Sequence, residues 1–285
     1  VIQIKSNTKT IFILTTLVTI LLGVYFVMAA TTVTPVYPAD SFATNSTTTT
    51  FQTSISGGNA SYSIELFLNG VPYNDTTIIC LNSTVCNITT NATVPPGTYS
   101  WIINATNGTD TSSSLSRGIT YDRTAPSISY AFPTPAHQTY QNADSIVVQA
   151  QITEIYPANI TFSISGGALN NITEFAMETS ESNNTITWAS LQDGTYKFNT
   201  SVIDQAMNYN LKSTRTVTVD TTNPLLTFES NTTTNGVYSA VQEIYVNINV
   251  TETNNNQVTY KLYNSTGATV QNSTTFYMND ILSNL

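Results

Sequence analysis

The sequence predicts an all-β protein built of tandem β-sandwiches behind an N-terminal membrane segment. Three features predict it. Apolar residues take every second place in several short stretches, a unit of about 97 residues recurs, and twenty uncharged residues stand near the N-terminus.

Composition sets the class. The chain has 285 residues, enough for two or three domains. Its polar fraction is mostly Thr, Asn and Ser. Thr and Tyr suit pleated, half-buried surfaces, and long runs of strong helix formers are missing. A disordered Thr-rich stalk has a similar polar content. However, 40% hydrophobic residues, with 16 Tyr and 11 Phe, can fill cores. The formal charge is −9, from 8 basic and 17 acidic residues. Two of the basic residues, Lys5 and Lys9, precede the apolar run, so the remainder is more acidic still. Such a surface repels phosphate backbones, and no nucleic-acid partner is expected.

Residues 11–30 read IFILTTLVTILLGVYFVMAA. As a helix they would span about 30 Å, the thickness of a hydrocarbon core. Lys5 and Lys9 would keep the short N-terminus cytoplasmic and send the rest outward. Two readings lead. The run is a retained transmembrane anchor or a signal peptide cut after Val27-Met28-Ala29, and a soluble core helix is the remaining alternative. Both leading readings make the membrane a partner through residues 11–30 and place residues 31–285 outside the cell. The chain starts at Val1 rather than Met, so a missing start is expected.

Sixteen Asn-X-Ser/Thr sequons agree with an exported location. They sit at Asn45, Asn59, Asn74, Asn82, Asn87, Asn91, Asn104, Asn107, Asn159, Asn171, Asn183, Asn199, Asn231, Asn249, Asn264 and Asn272. That exceeds what shuffling this composition gives, which favours glycan acceptors. The simpler alternative is that Asn and Thr both suit turns and edges. Two cysteines, Cys80 and Cys86, flank Asn82-Ser83 in IICLNSTVCNI and suit a disulfide across a short β-turn. Free buried thiols are the alternative. Two cysteines alone cannot close a tetrahedral zinc site.

The repeat organises the rest. Residues 94–99 read VPPGTY and residues 191–196 read LQDGTY, 97 positions apart. Each is followed by an alternating stretch and then a junction, ITYDRTAP at 119–126 and VTVDTTNP at 217–224. After the junctions come SIVVQAQITE at 145–154 and EIYVNINVTE at 243–252. A unit of this length with short strands has the size of an immunoglobulin-like sandwich.

Alternation predicts which side chains point inward. The inward sets are Tyr99, Trp101, Ile103 and Ala105; Ile146, Val148, Ala150 and Ile152; Tyr196, Phe198, Thr200 and Val202; and Ile244, Val246, Ile248 and Val250. Asn104, Asn159, Asn199 and Asn249 fall on the opposite parity, the wet face of half-buried strands. Gly-Thr-Tyr has the form of a tyrosine corner. Tyr99 and Tyr196 would pack inward while each hydroxyl bonds backbone a few residues upstream, with Gly97 and Gly194 making the turn.

The sequence DGTY, the strand after it, the loop Asp204-Gln-Ala-Met-Asn208 and VTVDTTNP together resemble prokaryotic immunoglobulin-like repeats of bacterial and archaeal surface proteins. The resemblance covers 122–219 most fully, 31–121 less so and 220–285 in part. That family's loop usually reads Asp-X-Ala-Gly-Asn, so Met207 departs from it. The resemblance implies a sandwich fold and a surface location, and no single ligand. The expected organisation is an anchor or signal helix at 1–30, sandwiches at 31–121 and 122–219, and a third at 220–285. The third is expected to be truncated, because the chain stops where its own Gly-Thr-Tyr corner should begin.

Candidate chemistry is sparse. Immunoglobulin topology gathers Asp122, Glu154 and Asp204 at one end of the second unit, where carboxylates can bind Ca²⁺. Asp220 and Glu252 repeat the pattern in the third unit. The simpler alternative is that the aspartates cap turn backbone and Glu154 is solvated. The only histidine, His137, sits in a Pro-rich stretch and is expected to be an exposed strand or turn residue, so no catalytic residue is proposed. Residues 33–50, with two prolines and NSTTTT, read as a short stiff stalk, with strand character from Thr47.

The function expected is therefore a non-catalytic cell-surface glycoprotein: stalk, adhesin or coat component, with other surface proteins or glycans as partners. A ligand-binding ectodomain would use exposed aromatics, for which Tyr62, Tyr73, Tyr130 and Tyr140 are candidates. A third reading is a spacer for an exported enzyme whose catalytic domain lies further along.

Overall fold

Short alternating segments form strands because each can bury one face and wet the other. The computed structural model describes residues 30–57, 61–73, 78–90, 93–108, 110–238, 240 and 244–277. All its regular elements are strands. The first unit contains β1 (Thr32–Tyr37), β2 (Phe42–Thr44), β3 (Thr50–Ser56), β4 (Ser61–Leu68), β5 (Val71–Pro72), β6 (Ile78–Leu81), β7 (Val85–Thr89), β8 (Gly97–Thr106), β9 (Thr111–Ser113) and β10 (Arg117–Tyr121). One sheet has the order β1-β3-β7 and the other β2-β10-β8-β4-β5, with β6 also on β4 and β9 on β8.

The second unit repeats this plan with β11 (Ser127–Ala131), β12 (Thr139–Gln141), β13 (Ile146–Thr153), β14 (Pro157–Gly166), β15 (Leu169–Ala176), β16 (Thr185–Trp188), β17 (Gly194–Asp204), β18 (Tyr209–Leu211) and β19 (Arg215–Val219). Its sheets are β11-β13-β16 and β12-β19-β17-β14-β15, with β18 on β17. Each unit has one parallel pair, β2 with β10 and β12 with β19. Both are sandwiches of immunoglobulin-like topology.

Register places the alternating residues in the seam. On β17, Tyr196, Phe198, Thr200 and Val202 are buried, and Phe198 stands opposite Ile164 of β14. On β8, Trp101, Ile103 and Ala105 are buried, and the Trp101 ring meets Phe51 edge-on at 5.0 Å. Tyr99 is half-buried and packs against the same core. On β13, Ile146, Val148, Ala150 and Ile152 are buried.

The stalk expected at residues 33–50 does not form. Those residues hold the first two strands and the start of β3, with Val33 and Pro35 buried. A proline lacks an N–H to offer a ladder and therefore suits an edge strand such as β1. The chain leaves β1 through a cis Tyr37-Pro38 bond, and β11 is followed by a cis Phe132-Pro133 bond. In each unit an arginine secures this crossover. Arg117 donates to the Pro38 carbonyl at 2.8 Å and Arg215 to the Pro135 carbonyl at 2.6 Å. Arg215 also lies over the Tyr130 ring, 4.5 Å from its centre.

In the third unit, β20 (Leu225–Phe228) pairs with β21 (Ile248–Thr251), and β22 (Gln257–Tyr263) pairs with β23 (Thr269–Tyr277). The strand expected over 244–250 is corrected here. Regular pairing begins only at Ile248, and Ile244 and Val246 are 61% and 41% exposed. They line an open cleft of about 430 Å³ with Leu226, Phe228, Ile248 and Val258. Alternation alone did not bury them, because the described strands give these two pairs no second face to close against. Of the apolar run at residues 11–30, all but Ala30 lies outside the described residues. Among those described, no helix is long and apolar enough to cross a membrane.

Candidate functional site at the junction of the first two sandwiches

Only five residues, 122–126, separate β10 from β11, and they are bonded to both neighbouring units. The Asp122 N–H donates to Thr44 O at 3.0 Å. Arg123 donates through one nitrogen to the carbonyls of Ser46 and Val94, each at 2.8 Å, which ties the linker to the first sandwich. From the second sandwich, Asn208 Nδ2 donates to Asp122 O at 2.9 Å and Asn210 Nδ2 to Pro126 O at 2.7 Å. The linker is thus held in place from both sides.

Asp122, Glu154 and Asp204 converge at this junction. One carboxylate oxygen from each lies within 4.8 Å of the others, and Asp204 is fully buried. Their hydrogen-bond partners are neutral. Asp204 accepts from the N–H and side-chain amide of Asn208, at 2.8 and 2.7 Å. Asp122 accepts from Thr124 N–H, and Glu154 from the N–H groups of Ile155 and Tyr156. Three acids gathered without a cationic partner among the described residues form a hard-oxygen donor set of the kind Ca²⁺ takes. Asp122 and Glu154 also serve as the turn caps of the simpler reading.

The next junction shares part of this plan. Asp220 accepts from Thr222 N–H at 3.3 Å and from Asn254 Nδ2 at 2.9 Å, and Glu252 accepts from Asn254 N–H. Here the linker is tied to the preceding unit by Asp193, whose carboxylate accepts from Thr221 N–H, the Thr221 hydroxyl and the Thr222 hydroxyl. Those bonds, the Thr222 hydroxyl foremost, hold the Asp193 carboxyl below its usual value.

The other singled-out residues lie apart from the junction acids. Tyr99 Oη donates to Pro95 O at 3.1 Å and Tyr196 Oη to Gln192 O at 2.8 Å, each four residues upstream. Cys80 and Cys86 form a disulfide with Cα atoms 5.8 Å apart. Because β6 belongs to one sheet and β7 to the other, the bond clasps the two sheets at their edge as well as crossing a turn. His137 is exposed, and its Nδ1 accepts the Thr216 N–H. Of the aromatics considered for a binding face, Tyr62 is buried and Tyr130 packs against the core, so neither is available on a surface. Tyr73 is half-buried, and Tyr140 is exposed.

No sequon asparagine with a described side chain is buried. Asn45, Asn87, Asn183, Asn231, Asn249 and Asn264 are exposed, and Asn82, Asn104, Asn107, Asn159, Asn171 and Asn199 are half-buried. Asn171 shares the parity of Leu169 and Phe175, which pack on the core, and accepts from the Trp188 indole N–H at 3.3 Å. Asn59, Asn74 and Asn91 lie outside the described residues, as does the side chain of Asn272.

Sequence reasoning missed Arg123 and Asn208 as the residues that join the units. Asn208 was visible as the last residue of the Asp204 loop. Arg123 was visible as the sole cation in a linker of a cation-poor chain.

Comparison with family models and with curated proteins finds no match. Among solved structures, the chain is similar to the fibronectin(III)-like modules of Clostridium thermocellum CbhA. The identity is 12%, over 66% of this chain and 92% of that one, with a TM-score of 0.38. It is similar to the FN1–FN3 domains of chicken CNTN1 at 12% identity, over 67% and 68% of the two chains, with a TM-score of 0.36. A chimeric titin Z1Z2 is 18% identical over 68% and 99%, with a TM-score of 0.28. The assignment of this chain to immunoglobulin-like sandwiches accordingly stands on its own strand order and register.

Proposed function

We propose that this chain is a non-catalytic glycoprotein of the cell surface, held at the membrane through residues 11–30, with residues 31–285 extracellular. Its tandem repeats, of the prokaryotic immunoglobulin-like type, serve as a structural stalk, adhesin or coat component. The observation that carries this reading is the linker at 122–126, bonded to both the sandwich before it and the one after. A linker without slack transmits position, which is what a spacer must do. Small-angle scattering of the exported chain should give an elongated particle with a narrow distribution of lengths. A compact particle, or one of widely varying length, would count against it.

A second reading concerns the same junction. We propose that Asp122, Glu154 and Asp204 hold a calcium ion, which neutralises three converging carboxylates and ties linker to sandwich. Binding to the native state alone raises stability with ligand concentration, by about 2.7 kcal/mol at one hundred times Kd. The melting midpoint should rise in calcium and fall back with a chelator. Glu154→Gln keeps the oxygen that caps Ile155 and Tyr156 and should blunt the rise. A wild-type midpoint indifferent to saturating calcium would remove the site.

A further inference from the structure

Two sequons adjoin the disulfide, Asn82-Ser83-Thr84 inside its loop and Asn87-Ile88-Thr89 on β7 just beyond it. Their carboxamides are placed differently. Asn82 Nδ2 donates to the Gly57 carbonyl at 2.7 Å, and Asn82 Oδ1 accepts the Gly57 N–H at 3.2 Å. The neighbouring Ser83 N–H donates to Ile55 O at 2.8 Å, so the turn is docked on the chain leaving β3. The receiving position is crowded. A Cβ on Gly57 would lie 2.7 Å from the Tyr62 hydroxyl and 3.0 Å from Thr31 Cα.

A two-point bond of this kind uses one edge of the carboxamide, its oxygen and the hydrogen cis to that oxygen. An N-linked sugar turns the side chain into a secondary amide. Such amides are planar and trans, which puts the substituent cis to the oxygen. The sugar would therefore replace the hydrogen that Asn82 gives to Gly57, and the cis alternative is strongly disfavoured. Asn87 has no such commitment. It stands opposite Gln52 on the outer face of β7, is exposed, and its carboxamide bonds to no described group.

We infer that the fold separates the two sequons: Asn82 is a clamp that fixes the disulfide turn to the end of β3, and Asn87 is the glycan acceptor of the pair. The acceptor half rests on the surface-glycoprotein reading, whereas the clamp half does not. Glycopeptide mapping of the chain from the cell that makes it should find sugar on Asn87 and none on Asn82. Sugar on Asn82 at a level equal to Asn87, or a bare Asn87 beside occupied sequons elsewhere, would overturn the assignment. A chain bare at every sequon would overturn the glycoprotein reading instead. The clamp is measured separately, in full chain made without N-glycosylation. Asn82→Ala should lower the melting midpoint of the first sandwich by at least about 4 °C, and Asn87→Ala should leave it unchanged. Equal midpoints for the two variants would overturn the clamp.

Discussion

At Tyr196 and Tyr99 a buried or half-buried ring and a hydroxyl bonded to backbone occur on one side chain. The ring packs in the seam while Oη closes the bend four residues upstream. The glycine two positions earlier is required by the backbone, with φ of +155° at Gly194 and +149° at Gly97. A further glycine, with φ of +145°, has a second cause besides. A Cβ on Gly166 would come within 2.3 Å of Thr195 O, so that position is set by the close approach of β14 to β17. Tyr196→Phe keeps the ring and removes the bond, and should cost the second unit about 1 kcal/mol in denaturant unfolding. An unchanged midpoint and slope would show that the hydroxyl contributes nothing.

Strands in this chain work in pairs of sheets, and the elements that cross between sheets carry the greatest consequence. The disulfide is one such crossing, because β6 and β7 belong to opposite sheets. Closing a loop of seven residues should stabilise the first unit by about 2 kcal/mol through the unfolded chain. Reduction should therefore lower the melting transition of that unit and leave the second, which has no cysteine, where it was. A chain whose transitions both survive reduction unchanged would contradict this. The arginine crossovers are another case. Arg117 and Arg215, 98 residues apart, hold the same bend after the first strand of each sandwich. The sequence shows both as cations at the start of a strand, and only the fold shows that each reaches back about 80 residues.

Across the whole molecule, the junctions decide how the units act together. The first is tied to the preceding sandwich by Arg123 and the second by Asp193. One spacing in the repeat is thus served by a guanidinium at one place and a carboxylate at the other. Arg123→Ala removes both side-chain bonds from the linker to the first sandwich and leaves the Asp122 N–H bond to Thr44 O and those from Asn208 and Asn210. Scattering profiles of that variant should show a broader spread of lengths, with the melting of each unit shifted little. A profile that superimposes on the wild type would mean that the linker is held without Arg123.

The sequence by itself determined the class, the repeat and the parity. A period of two residues is local, so Phe198 and Val202 could be assigned inward, and Asn199 outward, before any pairing was known. The disulfide and both tyrosine hydroxyl bonds span six residues or fewer, and were legible for the same reason. Tertiary structure alone decided the rest. Residues 33–50 read locally as a stalk, yet residues 33–37 and 42–44 lie in strands because β3 and, 77 residues beyond its partners in β2, β10 supplied ladders. Ile244 and Val246 alternate as well as Ile146 and Val148 do, yet remain exposed, since burial needs an opposing sheet and not a pattern. Asn82 and Asn87 carry the same three-residue signal. Their difference comes from Gly57, which lies 25 residues from Asn82 along the chain.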